Sequence, residues 1–386
     1  MRKIACILIL GCIVSYGNLQ AVNLTKEIAQ VVKPSDDIKV MFQNEQYQRI
    51  IDTYANTPRN LSSEELTYVA QSYSYISDLG NAHKYIDLAI NKDKKSSKAL
   101  YVKGVIYNME GKPELAIENL KKAITLSPKS SEYYAELGDV YFSMDDDEEA
   151  LDNYRKAIGL PNPAERAYFM IGAVYAGQDN LKSALDAFYI AKSKVQKDKE
   201  LYVTILYNIG NIEYNNRNYK NAIDAYKELM EYFPDDYYSL EKLVQCYNAL
   251  GLYDASDVSK TKLYEAYEKG DLSSSSMSDM FCLDQFSVGN KGILVYERFE
   301  EVDCRSFVKN IFYVTDTSGN IESIITLKYE PSESDGSKGH FEAILEKGSD
   351  QYRFNTVFEG GVRYSTLKPY ISDIIAGKVE AIPVNE

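Results

Sequence analysis

Five consecutive carboxylates, Asp145-Asp146-Asp147-Glu148-Glu149, form the densest group of chemistry-bearing side chains in the sequence. Closely spaced oxygens suit calcium, but a calcium loop wants Gly at its sixth position and a bidentate Glu at its twelfth, where Ala150 and Lys156 stand. The same carboxylates at a helix start would accept from free N–H groups and complement the helix dipole. The spacing favours this capping role. A second acidic group, Glu300, Glu301 and Asp303, offers the paired carboxylates that acid–base catalysis needs, but charge runs beside strands are usually solvated loop.

The rest of the reactive inventory is thin. Five cysteines (Cys6, Cys12, Cys246, Cys282, Cys304) form no CxxC pair, and with only His83 and His340 they assemble no recognisable zinc site. A Cys282 to Cys304 disulfide is compatible with export, but its spacing does not establish it. No Gly-rich phosphate loop, nucleophile elbow or His-centred triad occurs. No catalytic, metal-binding or cofactor-binding residue is therefore expected.

Composition narrows the partners. Of 386 residues, 45% are hydrophobic, enough for a folded chain with a large core. With 43 basic against 57 acidic residues the formal charge is −14, which argues against a surface that tracks phosphates. Nucleic acid is not an expected partner.

Arg2 and Lys3 precede an apolar run from Ile4 to about Tyr16, with small residues Gly17 and Ala21 at plausible cleavage sites. This reads as a secretory signal peptide over 1–21, since the run is short for a bilayer core needing about 20 apolar residues. The chain is expected to be exported, periplasmic or associated with a cell envelope. Ile9-Leu10-Gly11-Cys12 resembles a bacterial lipobox, which leaves a lipid anchor at Cys12 as the alternative; the apolar Ile13, Val14 and Tyr16 beyond it favour an ordinary signal.

The elements that must position any site announce themselves by period. Ala70, Gly104, Gly138 and Gly172 lie 34 residues apart, and after a slip of four the register resumes at Gly210. Tyr73, Tyr107, Tyr141 and Tyr175 follow each of the first four by three residues, and Ala82, Ala116, Ala150, Ala184 and Ala222 follow by twelve. Large residues precede the ladder at Leu66, Leu100, Tyr134, Tyr168 and Leu206, and recur beyond it at Ile86, Leu120, Tyr154, Phe188 and Tyr226. Pro128 and Pro234 mark repeat ends.

This pattern resembles the tetratricopeptide repeat (TPR) family, whose 34-residue unit is a helix-turn-helix. Tyr stands where that family often uses Trp. The resemblance implies an all-α superhelix, a right-handed α-solenoid in which small residues let paired helices approach and each hairpin buries its face on the next. Six to seven repeats are read over 24–269, with Ile38 to Tyr54 a degenerate opening unit and the polar helix after Tyr253 a cap. The four-residue slip is placed in AKSKVQKDKE, as an extra helical turn.

In that family the first helices line a concave groove that receives a protein or peptide partner. The basic clamp for a chaperone C-terminus is missing: its positions carry Thr67 and Gln71, Tyr101 and Val105, Ala135 and Asp139, Phe169 and Ala173, or Tyr207 and Asn211. The expected partner-binding residues are instead Tyr101, Val105, Phe142, Phe169, Met170 and Tyr207, with Val102 beside them; packing between helices is their alternative use.

A Ser-rich linker is read at 270–279, followed by an α+β domain over 280–386 with a mainly antiparallel sheet of five or six strands. Its strands are KGILVYERF, NIFYVTD, NIESIITLKYE, HFEAILEK and YRFNTVFE, and STLKPYISDIIAGK is its one helix. Together these readings predict a non-catalytic exported scaffold that assembles or maintains an envelope complex. The alternatives are a glycan or cell-wall binding module, suggested by 34 tyrosines, and an enzyme with its active site in the C-terminal domain.

Overall fold

The computed structural model describes residues 37–302, 305–331, 338–359 and 364–384. Seven helical hairpins occupy the first part of them. They pair α1 (Ile38–Gln43) with α2 (Tyr47–Tyr54), α3 (Ser63–Tyr75) with α4 (Leu79–Lys92), and α5 (Ser97–Met109) with α6 (Pro113–Leu126). Next come α7 (Ser131–Ser143) with α8 (Asp147–Ile158), α9 (Glu165–Gly177) with α10 (Leu181–Lys194), α11 (Lys199–Asn215) with α12 (Tyr219–Tyr232), and α13 (Tyr237–Ala249) with α14 (Tyr253–Glu268). The signal peptide and Cys12 lie outside the described residues.

The ladder glycines explain why each pair closes. A Cβ at Gly138 would sit 2.6 Å from the Tyr154 ring, and at Gly172, Gly210 and Gly104 it would meet Phe188, Tyr226 and Leu120 at 2.6, 2.7 and 2.7 Å. Each glycine thus opens the space that the large residue sixteen positions later fills. All seven hairpin turns contain a residue with positive φ, and only Gly111 and Gly251 are glycine; Glu45, Ser77, Asp145, Asp179 and Arg217 hold the others.

The slip of four is absorbed by α11, which has 17 residues where α5, α7 and α9 have 13. Its start is fastened within the chain: Gln196, Lys197 and Asp198 all donate backbone N–H to Glu165 Oε2, at 3.2–3.3 Å. The extra turn begins at Lys199, at the end of the stretch AKSKVQKDKE where the sequence placed it.

The C-terminal part is one antiparallel sheet in chain order, from β1 (Met280–Val288) through β2 (Lys291–Val302), β3 (Arg305–Thr315), β4 (Ile321–Pro331), β5 (Lys338–Lys347) and β6 (Asp350–Glu359) to β7 (Ile382–Pro383). The helix α15 (Tyr364–Ile375) intervenes before β7. Among the described residues seven strands replace the five or six expected, because β1 and the two-residue β7 escaped the period-2 reading. In β1, the ladder with β2 is interrupted at Leu283, which breaks the alternation there.

Two compact units divide the chain, one ending at Ile205 and the other Leu206–Glu386, so the division falls inside α11 rather than at the Ser-rich segment. That segment is no detached linker: Leu272 and Met277 are buried in one core with Leu240 and Val244 of α13, Leu263 and Ala266 of α14, and Phe281, Val295, Phe312 and Ile325 of the sheet. The predicted polar cap, α14, accordingly packs apolar side chains on the sheet.

Candidate functional site

The first helices of the N-terminal unit bring polar and aromatic side chains together across hairpins. Arg166 on α9 reaches three carboxylates of α7: Glu132 at 3.5 Å, Glu136 at 3.4 Å, and Asp139, which also pairs with its guanidinium. On the other side Asn108 Nδ2 of α5 donates to Glu136 Oε1 at 3.2 Å. One guanidinium thus serves three carboxylates, and the cluster keeps a net negative charge. Glu132 is half exposed, so the cluster is reachable from solvent.

Aromatic side chains border it. The Tyr101 ring stacks on Tyr133, with centroids 4.7 Å apart. Burial drives the Tyr101 hydroxyl far above its ordinary value, with Glu136, Glu132 and Tyr75 adding to the rise and Arg166 opposing it. Tyr75 is 60% exposed, and its ring lies flat on Tyr47 at 4.4 Å. A stacked, rigid aromatic next to carboxylates offers contact area at low entropic cost.

Of the predicted groove residues, Tyr101 borders this cluster and Val105 is half-buried on the same helix. Phe142 and Met170 each pack against the core that holds Tyr154 and Val174 while keeping partial exposure. Tyr207 lies in the C-terminal unit, its ring 5.3 Å from Tyr238.

Phe169 is a correction. It is 1% exposed, with its ring 5.5 Å from Phe188, so it belongs to the core; Val102, beside Tyr101 on α5, is 2% exposed and core as well. The reason lies in what the same places hold in other hairpins. Tyr154 donates its hydroxyl to Asp139 at 2.6 Å, and Tyr226 donates to Asn211 at 2.7 Å, both fifteen residues apart. In α9 and α10 the same two places hold Ala173 and Phe188, which need no polar partner, and Phe169 fills the dry space beside them.

Glu132, Glu136 and Arg166 were missed by the sequence reading, which followed uncharged stripes. Their signal was present: Glu132 and Arg166 are one repeat apart on first helices, as opposite charges.

The acidic run has its answer in local geometry. Asp146 Oδ1 accepts from Glu149 N at 3.3 Å as the N-cap of α8, Asp147 to Glu149 fill the first turn, and Asp145 is the turn residue with φ of 60°. Among the described residues no group of three His, Cys, Asp or Glu side chains is placed to hold a metal ion. His83 is half-buried and paired with Glu110 at 2.9 Å.

Among the described residues two carboxylates of the sheet are buried, and both are satisfied. Asp284 accepts from Tyr364 Oη at 2.7 Å and Lys368 Nζ at 2.8 Å, while Glu297 accepts from Tyr264, from Asn310 Nδ2 at 3.1 Å and from Lys260 Nζ at 3.4 Å. The side chains of Glu300, Glu301 and Asp303 lie outside the described residues, as does Cys304. Cys282 is a free thiol in the structure.

Three family models match the chain: "TPR repeat" over 104–145, and "Tetratricopeptide repeat" over 131–162 and over 203–236. Similar solved structures include MamA, at 25% identity over 42% of this chain and 93% of that one, with a TM-score of 0.36. PilF of Pseudomonas aeruginosa is 17% identical over 53% of this chain and 92% of its own, with a TM-score of 0.45. YrrB, described as a TPR protein with an unusual peptide-binding site, is 20% identical over 50% and 95%, with a TM-score of 0.35. No curated protein matches the chain.

Proposed function

We propose that this tetratricopeptide-repeat protein is a non-catalytic scaffold that holds a protein or peptide partner on the first-helix face of its N-terminal unit. The observation that carries the reading is the set of Tyr75, Tyr101, Glu132, Glu136 and Arg166, drawn from four successive hairpins and reachable from solvent at Tyr75 and Glu132. Side chains this close across hairpins can be contacted by one partner at once, and the exposed aromatic supplies an anchor. The leader read over 1–21 supports a location outside the cytoplasm, and with it a part in assembly or maintenance of an envelope complex.

The test is crosslinking in cells followed by capture of the full chain, beside a Tyr75→Ala, Glu132→Lys variant. Both positions are well exposed, so the variant should keep the helical circular dichroism of the parent. The expected result is one defined protein captured by the parent and lost from the variant. Equal capture by both would overturn the assignment of this face. The mass of the mature N-terminus checks the leader: cleavage near Ala21 supports it, and a lipidated Cys12 would convert the protein to an anchored one.

A further inference from the structure

The seventh hairpin differs from the others in what its first helix faces. Val244 of α13 takes the ladder place of Gly104, so Glu241, Gln245 and Asn248 occupy the places of Tyr101, Val105 and Asn108 on α5. All three α13 side chains hold the backbone of β1. Cys282 donates its N–H to Glu241 Oε1 at 2.6 Å, Gln245 Nε2 donates to Cys282 O at 3.3 Å, and Asn248 Nδ2 donates to Leu283 O at 2.8 Å.

The geometry is built rather than incidental. Gln245 and Asn248 are 3% and 1% exposed, and the Gln245 amide is oriented by Tyr214, whose hydroxyl donates to its Oε1 at 2.5 Å. Lys242 Nζ in turn sits 4.5 Å from the Tyr214 ring. Burial raises the Glu241 carboxyl above its ordinary value, while the Cys282 N–H and Lys242 hold it down. Between these polar contacts Leu240 and Val244 share a core with Phe281 and Leu283.

β1 is an end strand of its sheet, and an end strand carries one row of backbone donors and acceptors with no neighbouring strand. The α13 side chains supply an acceptor and two donors for that row.

We infer that β1 is an intramolecular ligand of the seventh hairpin, held there as an extended strand through its backbone. This occupancy withdraws the first-helix face of α13 from any partner and shields the sheet edge from pairing with another chain. The withdrawal clause rests on the partner-binding role proposed above; the occupancy itself does not.

Amide hydrogen exchange on the full chain tests it, comparing the parent with a Glu241→Ala, Gln245→Ala, Asn248→Ala variant. Losing these bonds should speed exchange at Cys282 and its β1 neighbours by about tenfold or more, while β3, β4 and the hairpins from α3 to α8 keep their protection. Unchanged β1 protection overturns the inference, because β2 alone would then hold the strand. If the triple variant loses protection throughout the C-terminal unit, Gln245→Glu decides: it removes the donor to Cys282 O at nearly constant volume. Local acceleration there supports the occupancy, and none overturns it. The Tyr75→Ala, Glu132→Lys variant is the control that separates the two readings, since a failed partner capture leaves β1 exchange as in the parent.

Discussion

Gly138 shows how much one hydrogen atom decides. Replacing it with Ala puts a methyl group 2.6 Å from the Tyr154 ring, which is locked by its bond to Asp139. We expect Gly138→Ala to cost about 1–3 kcal/mol, the range for overpacking a filled core, measured by denaturant unfolding. A Tyr154→Ile partner change should recover part of it, since Ala70 and Ile86 fill the same two places in α3 and α4. Buried charge sets the second residue-scale expectation. Asp284 is fully buried and depends on Tyr364 and Lys368, so Lys368→Ala should destabilise the C-terminal unit by about 2 kcal/mol. That value sits below the range for a fully buried pair because Lys368 keeps partial access to water. An unchanged unfolding midpoint would show that Tyr364 alone suffices.

Helices and their turns carry the next expectations. Arg217 holds a φ of 61° in the turn between α11 and α12, a conformation that costs a branched-out side chain roughly 1 kcal/mol relative to glycine. Arg217→Gly should therefore raise stability, where most substitutions lower it. At the start of α3, Ser62 and Glu65 form a capping box: Ser62 N donates to Glu65 Oε2 at 2.7 Å, and Glu65 N donates to Ser62 Oγ at 3.2 Å. The Ser62 N–H and hydroxyl hold the Glu65 carboxyl below its ordinary 4.5. A depressed acid stabilises the fold fully above its unfolded value and loses that contribution as pH falls toward the folded one. Melts of the parent and of Glu65→Gln should thus differ near neutral pH and converge as pH drops below about 4.5. A constant difference across that window would mean the carboxylate charge contributes nothing to the cap.

For the whole molecule, the division inside α11 matters more than the Ser-rich segment. Because α13, α14 and the sheet share one core, a chain ended at Lys269 would expose Leu240, Val244, Leu263 and Ala266 together. Such a chain should bind a hydrophobic dye and self-associate, while the full chain does neither. Dye binding equal to that of the full chain would show that the last hairpin folds without the sheet.

The repeat architecture was legible in the sequence by itself because its determinants are local and periodic. Gly138 meets Tyr154 sixteen residues on, the acidic run caps the helix it begins, and an extra turn of α11 absorbs the slip. The Tyr154–Asp139 and Tyr226–Asn211 pairs are equally local, and their fifteen-residue spacing would have shown that Asp139 and Asn211 are already engaged. The tertiary structure alone decided which faces remain open. Phe169 and Tyr101 occupy the same repeat place, yet the first is core and the second borders a charged cluster, because exposure depends on what the adjoining helices present. It also decided what α13 holds. Its side chains bind the N–H and C=O of Cys282 and the C=O of Leu283, groups that nearly every residue carries, so recognition through the backbone leaves no signature in the order of side chains.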